Sequence, residues 1–382
     1  MMTMLSPERL RPHYARFLAS GHVLLTGHSH QAWPDVARDG VLEAFDDAAT
    51  HVDDKWGPAT EAADSVRRAI ASELGGAPDD VALAQNTHEL VTRFLSALPW
   101  RKRRHLVTTD GEFHSMRRQL ARLEEEGVEV TRVSAAEPHT LAERLAAAVR
   151  PNTAALLAST VLFETSTVVP NLSLACEAAH RVGAEVLLDA YHHFRALPWT
   201  EIDPRAFVTG GGYKYAQWGE GVCFLRVPAG SALRPVYTGW FSDFASLAAP
   251  QQGPTRYGST GADRFAGSTY DPTSHYRARA VIRFHEAQGM TTEALRAISL
   301  QQTARLIEAL EGYEVLTPRD SASRGGFVTV RVSNASEVVR ALRERGVFTD
   351  ARRDNLRFGP APYVTDAEID RAMDAFRSIV PR

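Results

Sequence analysis

The sequence predicts an α/β protein, with a large domain on a mainly parallel, mixed sheet and a small α+β domain at the C-terminus. Three observations carry this. First, between Val128 and Ala190 the apolar segments VEVTRV, TAALLAST and EVLLDA alternate with helical patterns over 140–149 and 172–182. Apolar strands separated by helices of about 10 to 15 residues make crossover units, and crossover units make a parallel sheet. Second, the pattern changes beyond about residue 276: two long helices lead into short strands and further helices. Third, 382 residues are enough for one large domain and one smaller one. The expected units are an N-terminal arm that is partly small domain (1–45), a large domain (46–275) and a small domain (276–382).

Bulk properties narrow the function classes. Apolar residues make up 44% and charged residues 23%, a globular composition with ample core. A net charge of −3 gives no electrostatic case for nucleic acid or an anionic membrane as partner. No apolar run approaches the roughly 20 residues of a membrane span. The stretch MMTMLSPERLRPHYARF carries charges throughout and has no apolar signal core, so the expected compartment is the cytoplasm. Two cysteines, Cys176 in a helical pattern and Cys223 in the strand-like GVCFLRV, make no disulfide framework and read as buried small hydrophobes.

Taken in order, residues 7–46 form an arm and a helix. Within them VLLTGHSHQAWPD ends in Gly27-His28-Ser29-His30 and breaks at Pro34. The loop THVDDKWG follows, with His51 and Trp56. Residues 61–74 repeat Ala62, Val66, Ile70 and Leu74 at helical spacing and stop at Gly75-Gly76. Residues 81–84 are strand-like. Asn86-Thr87-His88 then opens a helix with the apolar face Leu90, Phe94, Leu95 and Leu98. Asn and Thr are common helix caps, and a helix start presents free N–H groups to an anion. HLVTTDGEFHSMRRQ reads as strand, loop and helix over 115–126. In a parallel sheet, ligands bind beyond the C-terminal strand ends. Thr108-Thr109, the LFETST loop and Asp189 fall at such ends. Residues 248–261 are rich in Gly, Pro, Ser and Thr and read as a long loop of the kind that serves as a lid. A helix over 274–288 leads to the small domain. There follow an amphipathic helix over 292–310, the strand FVTVRVS, a helix over 337–345, and short strands near Val347 and Leu356. The last helix opens on the capping box Thr365 to Glu368.

The chemistry concentrates in two stretches. AEVLLDAYHHFRALPW delivers Asp189 at a strand end. GGGYKYAQWGEG, 25 residues on, holds Lys214 in a Gly-bracketed loop after the apolar segment 206–209. A carboxylate and an amine at neighbouring strand ends are what pyridoxal phosphate needs. The amine forms a Schiff base with the cofactor aldehyde, and the carboxylate keeps the pyridine nitrogen protonated. The pattern Asp-x-x-His, then Gly-Tyr-Lys-Tyr and a Gly-rich turn, resembles the fold-type I, class V aminotransferase group of pyridoxal phosphate enzymes, and most of all kynureninase. The matches run in order from about Leu25 to Arg357, most of the chain.

The resemblance implies a role for each matching residue. Lys214 carries the cofactor, Asp189 pairs with the ring nitrogen, and His192 lies near cofactor and substrate, with His193 beside it leaving the register open. Tyr213, Thr87 and His88 hold the phosphate. Phe113 stacks on the ring, although Phe-His-Ser-Met here replaces the family's usual Phe-Pro-Ser-Asp, so that Met116 stands for an acidic residue. Trp240, in TGWFSDF, lies near phosphate and substrate. Thr269, in DRFAGSTYDP, reaches the phosphate of the partner subunit, which implies a homodimer. Arg357, in NLRFGPAPYVT, forks onto the substrate α-carboxylate. His28 stands where the family has Asn and is a substrate candidate, as is His51. Trp218 and Glu220 depart from the family pattern, and Trp218 is expected to narrow the pocket. Phe163 or Glu164 falls where relatives supply an Asn, and that loop is given no role. No metal is implied.

The expected activity is hydrolysis of L-kynurenine or 3-hydroxykynurenine to anthranilate or 3-hydroxyanthranilate and L-alanine, a step of tryptophan catabolism. The alternatives are an aminotransferase, a lyase or a cysteine desulfurase of the same fold. Desulfuration by a persulfide route needs a mobile, exposed thiol, which neither cysteine suits. A binding protein that kept the fold and lost the chemistry is a further class, against which the joint presence of Lys214 and Asp189 argues.

Overall fold

A computed structural model describes residues 5–200, 202–250 and 253–381. The large sheet has seven strands: β1 (Val81–Ala84), β2 (His105–Thr109), β3 (Glu129–Val133), β4 (Thr153–Ser159), β5 (Glu185–Asp189), β6 (Phe207–Gly211) and β7 (Cys223–Arg226). Their spatial order is β1-β7-β6-β5-β4-β2-β3. The pairings among β6, β5, β4, β2 and β3 are parallel, whereas β7 runs antiparallel to both its neighbours. The expected mainly parallel, mixed sheet is therefore present. Strands β2, β4, β6 and β7 are buried along their whole length; β4 therefore reads as a largely apolar run, whereas β2 also buries His105, Thr108 and Thr109. Strand β3 lies at the edge and turns Glu129 and Arg132 to solvent.

The helices of ten or more residues are α1 (Ala37–His51), α2 (Trp56–Leu74), α3 (Thr87–Ala97), α4 (His114–Glu125), α5 (Pro138–Ala148), α6 (Leu172–Arg181), α7 (Thr273–Gln288), α8 (Thr292–Ala309), α9 (Ala335–Glu344) and α10 (Asp366–Ile379). Two boundaries differ most from the sequence reading. Helix α1 continues to His51, which is therefore a helix end rather than a loop residue. Helix α2 starts at Trp56, because Pro58 falls in its first turn, where a missing N–H removes no helical bond.

The C-terminal sheet pairs β8 (Val328–Arg331), β10 (Asn355–Phe358) and β9 (Asp350–Arg352) antiparallel, in the order β9-β10-β8. Its hydrophobic core includes Val328, Leu342, Phe358 and Phe376, and also Leu10, Tyr14, Val23 and Leu25 of the arm. A two-residue parallel pairing, Val23 with Val347 and Leu24 with Phe348, fastens the arm there. Helix α7 spans the junction: Ala278 and Val281 enter a core under the large sheet, and Phe284 enters the C-terminal core. Helix α8 is amphipathic, as its pattern suggested, with Glu293, Ala297, Gln301, Ala304 and Glu308 exposed along one stripe. Its buried face also carries polar side chains, with Arg296 donating to the carbonyls of Ser321, Arg324 and Gly325, and Gln302 donating to those of Ala361 and Val364. The expected lid over 248–261 lies partly outside the described residues, at 251–252. Among the described residues, no helix is long and apolar enough to cross a membrane.

Candidate active site

Strand β5 ends on Asp189, and the turn after its parallel neighbour β6 carries Lys214. Adjacent parallel strands end side by side, so the two residues that the sequence separates by 25 positions meet at one rim of the sheet. The Gly211-Gly212 pair before Tyr213 is required by close packing. A Cβ on Gly211 would lie 2.4 Å from the Tyr191 hydroxyl, and one on Gly212 would lie 2.7 Å from the Trp218 ring.

Both side chains are buried. Lys214 Nζ lies 2.8 Å from His192 Nε2, and 5.0 and 5.8 Å from the ring centres of Tyr191 and Phe113. Burial drives the Lys214 amine down to about 7. Asp189 pulls it back up, and the Arg357 charge pushes it down further. Burial raises the Asp189 carboxyl, and the Tyr191 N–H, which donates to Asp189 Oδ1 at 2.8 Å, opposes this. His192 is held neutral, its pKa lowered by burial first and then by the Lys214 and Arg357 charges. Its Nδ1 is buried without a protein partner.

A cavity of about 550 Å³ gathers Thr87, His88, Phe113, Asp189, His192, Tyr213 and Lys214. Seven of the sequence-predicted residues thus share one site. The start of α3 forms one side, with Asn86 capping the helix by accepting from Glu89 N at 3.0 Å. The rest of the wall includes Met116, Val161, Phe163, Tyr191, Glu220 and Cys223. Tyr191 was missed in the sequence; its hydroxyl accepts from Thr87 Oγ1 at 2.6 Å and lies 3.0 Å from Cys223 Sγ. Both cysteines are buried, which raises their thiol pKa values.

The other predicted residues lie elsewhere. Trp240 and Thr269 line a second cavity of about 1050 Å³, which adjoins the first at Gln85. His51 sits exposed at the end of α1. Trp218 does not narrow the pocket: it turns into the core beneath it, against Phe194 at 5.5 Å, and is 2% exposed.

Arg357 and His28 lie beside the cavity, within electrostatic reach of His192. Neither lines the Lys214 cavity, because both are tied to Asp350, a residue the sequence reading overlooked. Arg357 Nε and Nη2 donate to the two Asp350 oxygens at 2.8 and 2.5 Å, and Nη1 donates to the Phe163 carbonyl at 2.7 Å. The Arg357 fork is therefore occupied by a carboxylate of its own chain. His28 Nε2 lies 2.8 Å from Asp350 Oδ1, and its ring stacks on Phe327 at 4.6 Å. Burial and the Arg357 charge lower His28 to about 4, whereas His28 and Arg357 hold Asp350 far below the usual carboxylate range against its own burial. The Arg353-Asp354 turn of the β9–β10 hairpin sets Asp350 opposite Arg357.

The cavity therefore offers an amine near its free-base form, a buried carboxylate, an aromatic face and a helix start with free N–H groups. Such a set can hold a flat heterocycle that carries an aldehyde at one position and an anionic tail at another.

Comparisons with known proteins agree with this chemistry. Residues 295–376 match the Kynureninase C-terminal domain family. Isopenicillin N epimerase of Streptomyces clavuligerus is 30% identical over 335 residues, 82% of this chain and 83% of that protein. Kynureninase of Geobacillus thermodenitrificans is 25% identical over 324 residues, 78% and 73% of the two chains. Among solved structures, a C-DES mutant with glycine covalently linked to its PLP cofactor superposes with a TM-score of 0.84, at 19% identity over 96% of this chain and 98% of that one. The apo cysteine desulfurase of Thermococcus onnurineus NA1 gives 0.80 at 16% identity, over 100% and 99% of the two chains.

Proposed function

The chain belongs to the class V aminotransferase group of fold-type I pyridoxal phosphate enzymes, and from that premise we propose that it is a kynureninase-type hydrolase. It would convert L-kynurenine or 3-hydroxykynurenine, with one water, to anthranilate or 3-hydroxyanthranilate and L-alanine. The residues present fit the cofactor. Asp189 would hold the ring nitrogen, Lys214 the aldehyde, Phe113 the ring face, and Thr87, His88 and Tyr213 the phosphate. The unpartnered Nδ1 of His192 is left for a polar group of cofactor or substrate.

When bound, the cofactor supplies an electron sink for the bonds at the substrate α-carbon. The protein does the rest. Asp189 keeps a proton on the ring nitrogen. Lys214, close to half neutral near pH 7, takes a proton from the α-carbon and returns it. Neutral His192 accepts from Lys214 through Nε2, which leaves Nδ1 as the N–H of the ring.

The observation that carries the reading is the Lys214–His192 contact beside Asp189, in a cavity whose remaining wall is largely apolar. Phe113 meets Phe163 edge-on at 5.4 Å, and Met116 and Val161 line the same space. That wall suits an aryl side chain better than a short polar one. Arg357 is the proposed partner of the substrate α-carboxylate, which must compete with Asp350 for one guanidinium. Trp240, Thr269 and His51 are proposed to serve the site of a second copy in a cytoplasmic homodimer. Exposed Phe45, Val52, Val236, Tyr237, Trp240 and Phe244 support a covered apolar face.

The test is incubation of the cofactor-loaded protein with L-kynurenine and no keto acid. Fluorescent anthranilate and alanine in equal amounts are expected; a keto acid without aryl acid would instead mark an aminotransferase. The 30% identical epimerase supports a second reading, inversion at the α-carbon. It predicts deuterium uptake at that carbon and a mixture of enantiomers, with no carbon–carbon cleavage.

A further inference from the structure

Glu112 is a buried carboxyl beside the cavity with no task in the chemistry above. It precedes Phe113 in the loop after β2 and is 1% exposed. Its bonds all run inward. Thr109 Oγ1 donates to Oε1 at 2.6 Å, Ser159 N donates to Oε1 at 3.1 Å, and Ser159 Oγ donates to Oε2 at 2.6 Å. Thr109 ends β2 and Ser159 ends β4. Ser159 is also the register partner of Asp189 across β4 and β5. One side chain thus ties two strand ends to the loop that carries Phe113, immediately beside the strand end that carries Asp189.

A neutral amide could make a staple of this shape. Burying an ionisable carboxyl is costly unless its charge is used, so the charge calls for an explanation beyond packing. We propose that Glu112 is a positioning residue: it fixes the Phe113 ring and the Asp189 carboxylate in one frame, and its negative charge strengthens the hold of Asp189 on the proton of the cofactor's ring nitrogen. The inference rests on the cofactor reading and not on the choice of substrate.

The charges around Glu112 are consistent with this. Burial pushes its carboxyl up to about 7, the Ser159 and Thr109 hydroxyls pull it down, and the Asp189 charge raises it. Strand β5 brings Asp189, whereas β2 and β4 bring the Thr109 hydroxyl and the Ser159 hydroxyl and N–H. In its own loop, Asp110 accepts from Ala135 N and His114 faces Arg117. Lys214 acts on Asp189 from the turn after β6. Above pH about 7, Glu112 is ionised, and a second negative charge beside Asp189 makes removal of a shared proton harder.

The test uses the holoenzyme reconstituted with pyridoxal phosphate. The visible band is titrated between pH 6 and 9.5 in wild type, Glu112→Gln and Thr109→Val, and melting temperatures are taken alongside. In Glu112→Gln the midpoint should fall by about half a pH unit or more. Thr109→Val removes one donor, favours the neutral form of Glu112 and should shift the midpoint the same way by less. Midpoints equal to wild type in both variants overturn the inference, whatever their melting temperatures. No visible band in the wild-type chain overturns the cofactor reading, and this inference with it.

Discussion

Lys214 should titrate as no surface lysine does. A free lysine amine at pKa about 10.5 is unprotonated in only about one molecule in 3,000 at pH 7. Burial lowers Lys214 to about 7, which leaves about half of it as free base. The gain in free amine is on the order of 10³-fold. Lower basicity takes part of that back: a Brønsted slope near 0.5, carried over from thiols, leaves about 20- to 30-fold in intrinsic reactivity. The sequence makes the measurement clean, because the chain has only three lysines, Lys55, Lys102 and Lys214. Cofactor-free protein is labelled with trace acetic anhydride from pH 5 to 11, and the three peptides are quantified by mass spectrometry. The reagent must be small, since Lys214 is buried, and the informative quantity is the midpoint of its pH profile rather than the absolute rate. A midpoint near 7 is expected, with protection by pyridoxal phosphate. Asp189→Asn should lower it further, because the Asp189 charge holds the ammonium form. A Lys214 midpoint above 9 would refute the burial argument, and with it the role of Lys214 as a base at neutral pH.

The same shift has a stability consequence. The folded chain releases the Lys214 proton near 7 and the unfolded chain near 10.5, so the unfolded state holds more protons in between and stability rises with pH across that window. Lys214→Met should therefore stabilise the cofactor-free chain by about 2–4 kcal/mol at pH 7 and by only about 1 kcal/mol at pH 9.5, read by urea denaturation at both values. Asp350→Asn leaves the Arg357 guanidinium buried without its carboxylate, at a cost of about 2–4 kcal/mol. Because Asp350 is depressed in the fold, that difference from wild type is present above pH about 4 and is lost as the pH falls below it; an equal midpoint in denaturant at pH 7 would count against the pair. The same variant frees the fork, so its KM for the amino acid should fall. Asp189→Asn should still bind the cofactor, seen as visible absorbance, yet lose about 10²–10³-fold in turnover.

The large domain and most of the site were legible in the residue order. Strands buried on both faces leave largely apolar runs, so β4 and β5 announce themselves, and Asp189 follows from the place where one run stops. Asn86 before Thr87 marks a helix start, because only a short polar side chain can take up the free N–H of Glu89. Lys214 followed because neighbouring parallel strands end on the same rim. The direction of β7 was not legible, since GVCFLRV is equally apolar read either way and only its pairing with β1 and β6 turns it antiparallel. The partners of Arg357, His28 and Glu112 were not legible either. An Arg in a short strand looks the same whether its fork is free or taken, and the hairpin register decides by setting Asp350 across from it. Glu112 sits in a loop whose composition resembles a solvated one; the approach of β4 buries it on Ser159. Trp218 lies four residues from Lys214 yet points into the core, because Gly212 leaves room for its ring there. Local periodicity records which face of an element is buried. Which side chain meets which across 50 or 300 residues is fixed by register and by the crossing of elements, and that exists only once the chain has folded.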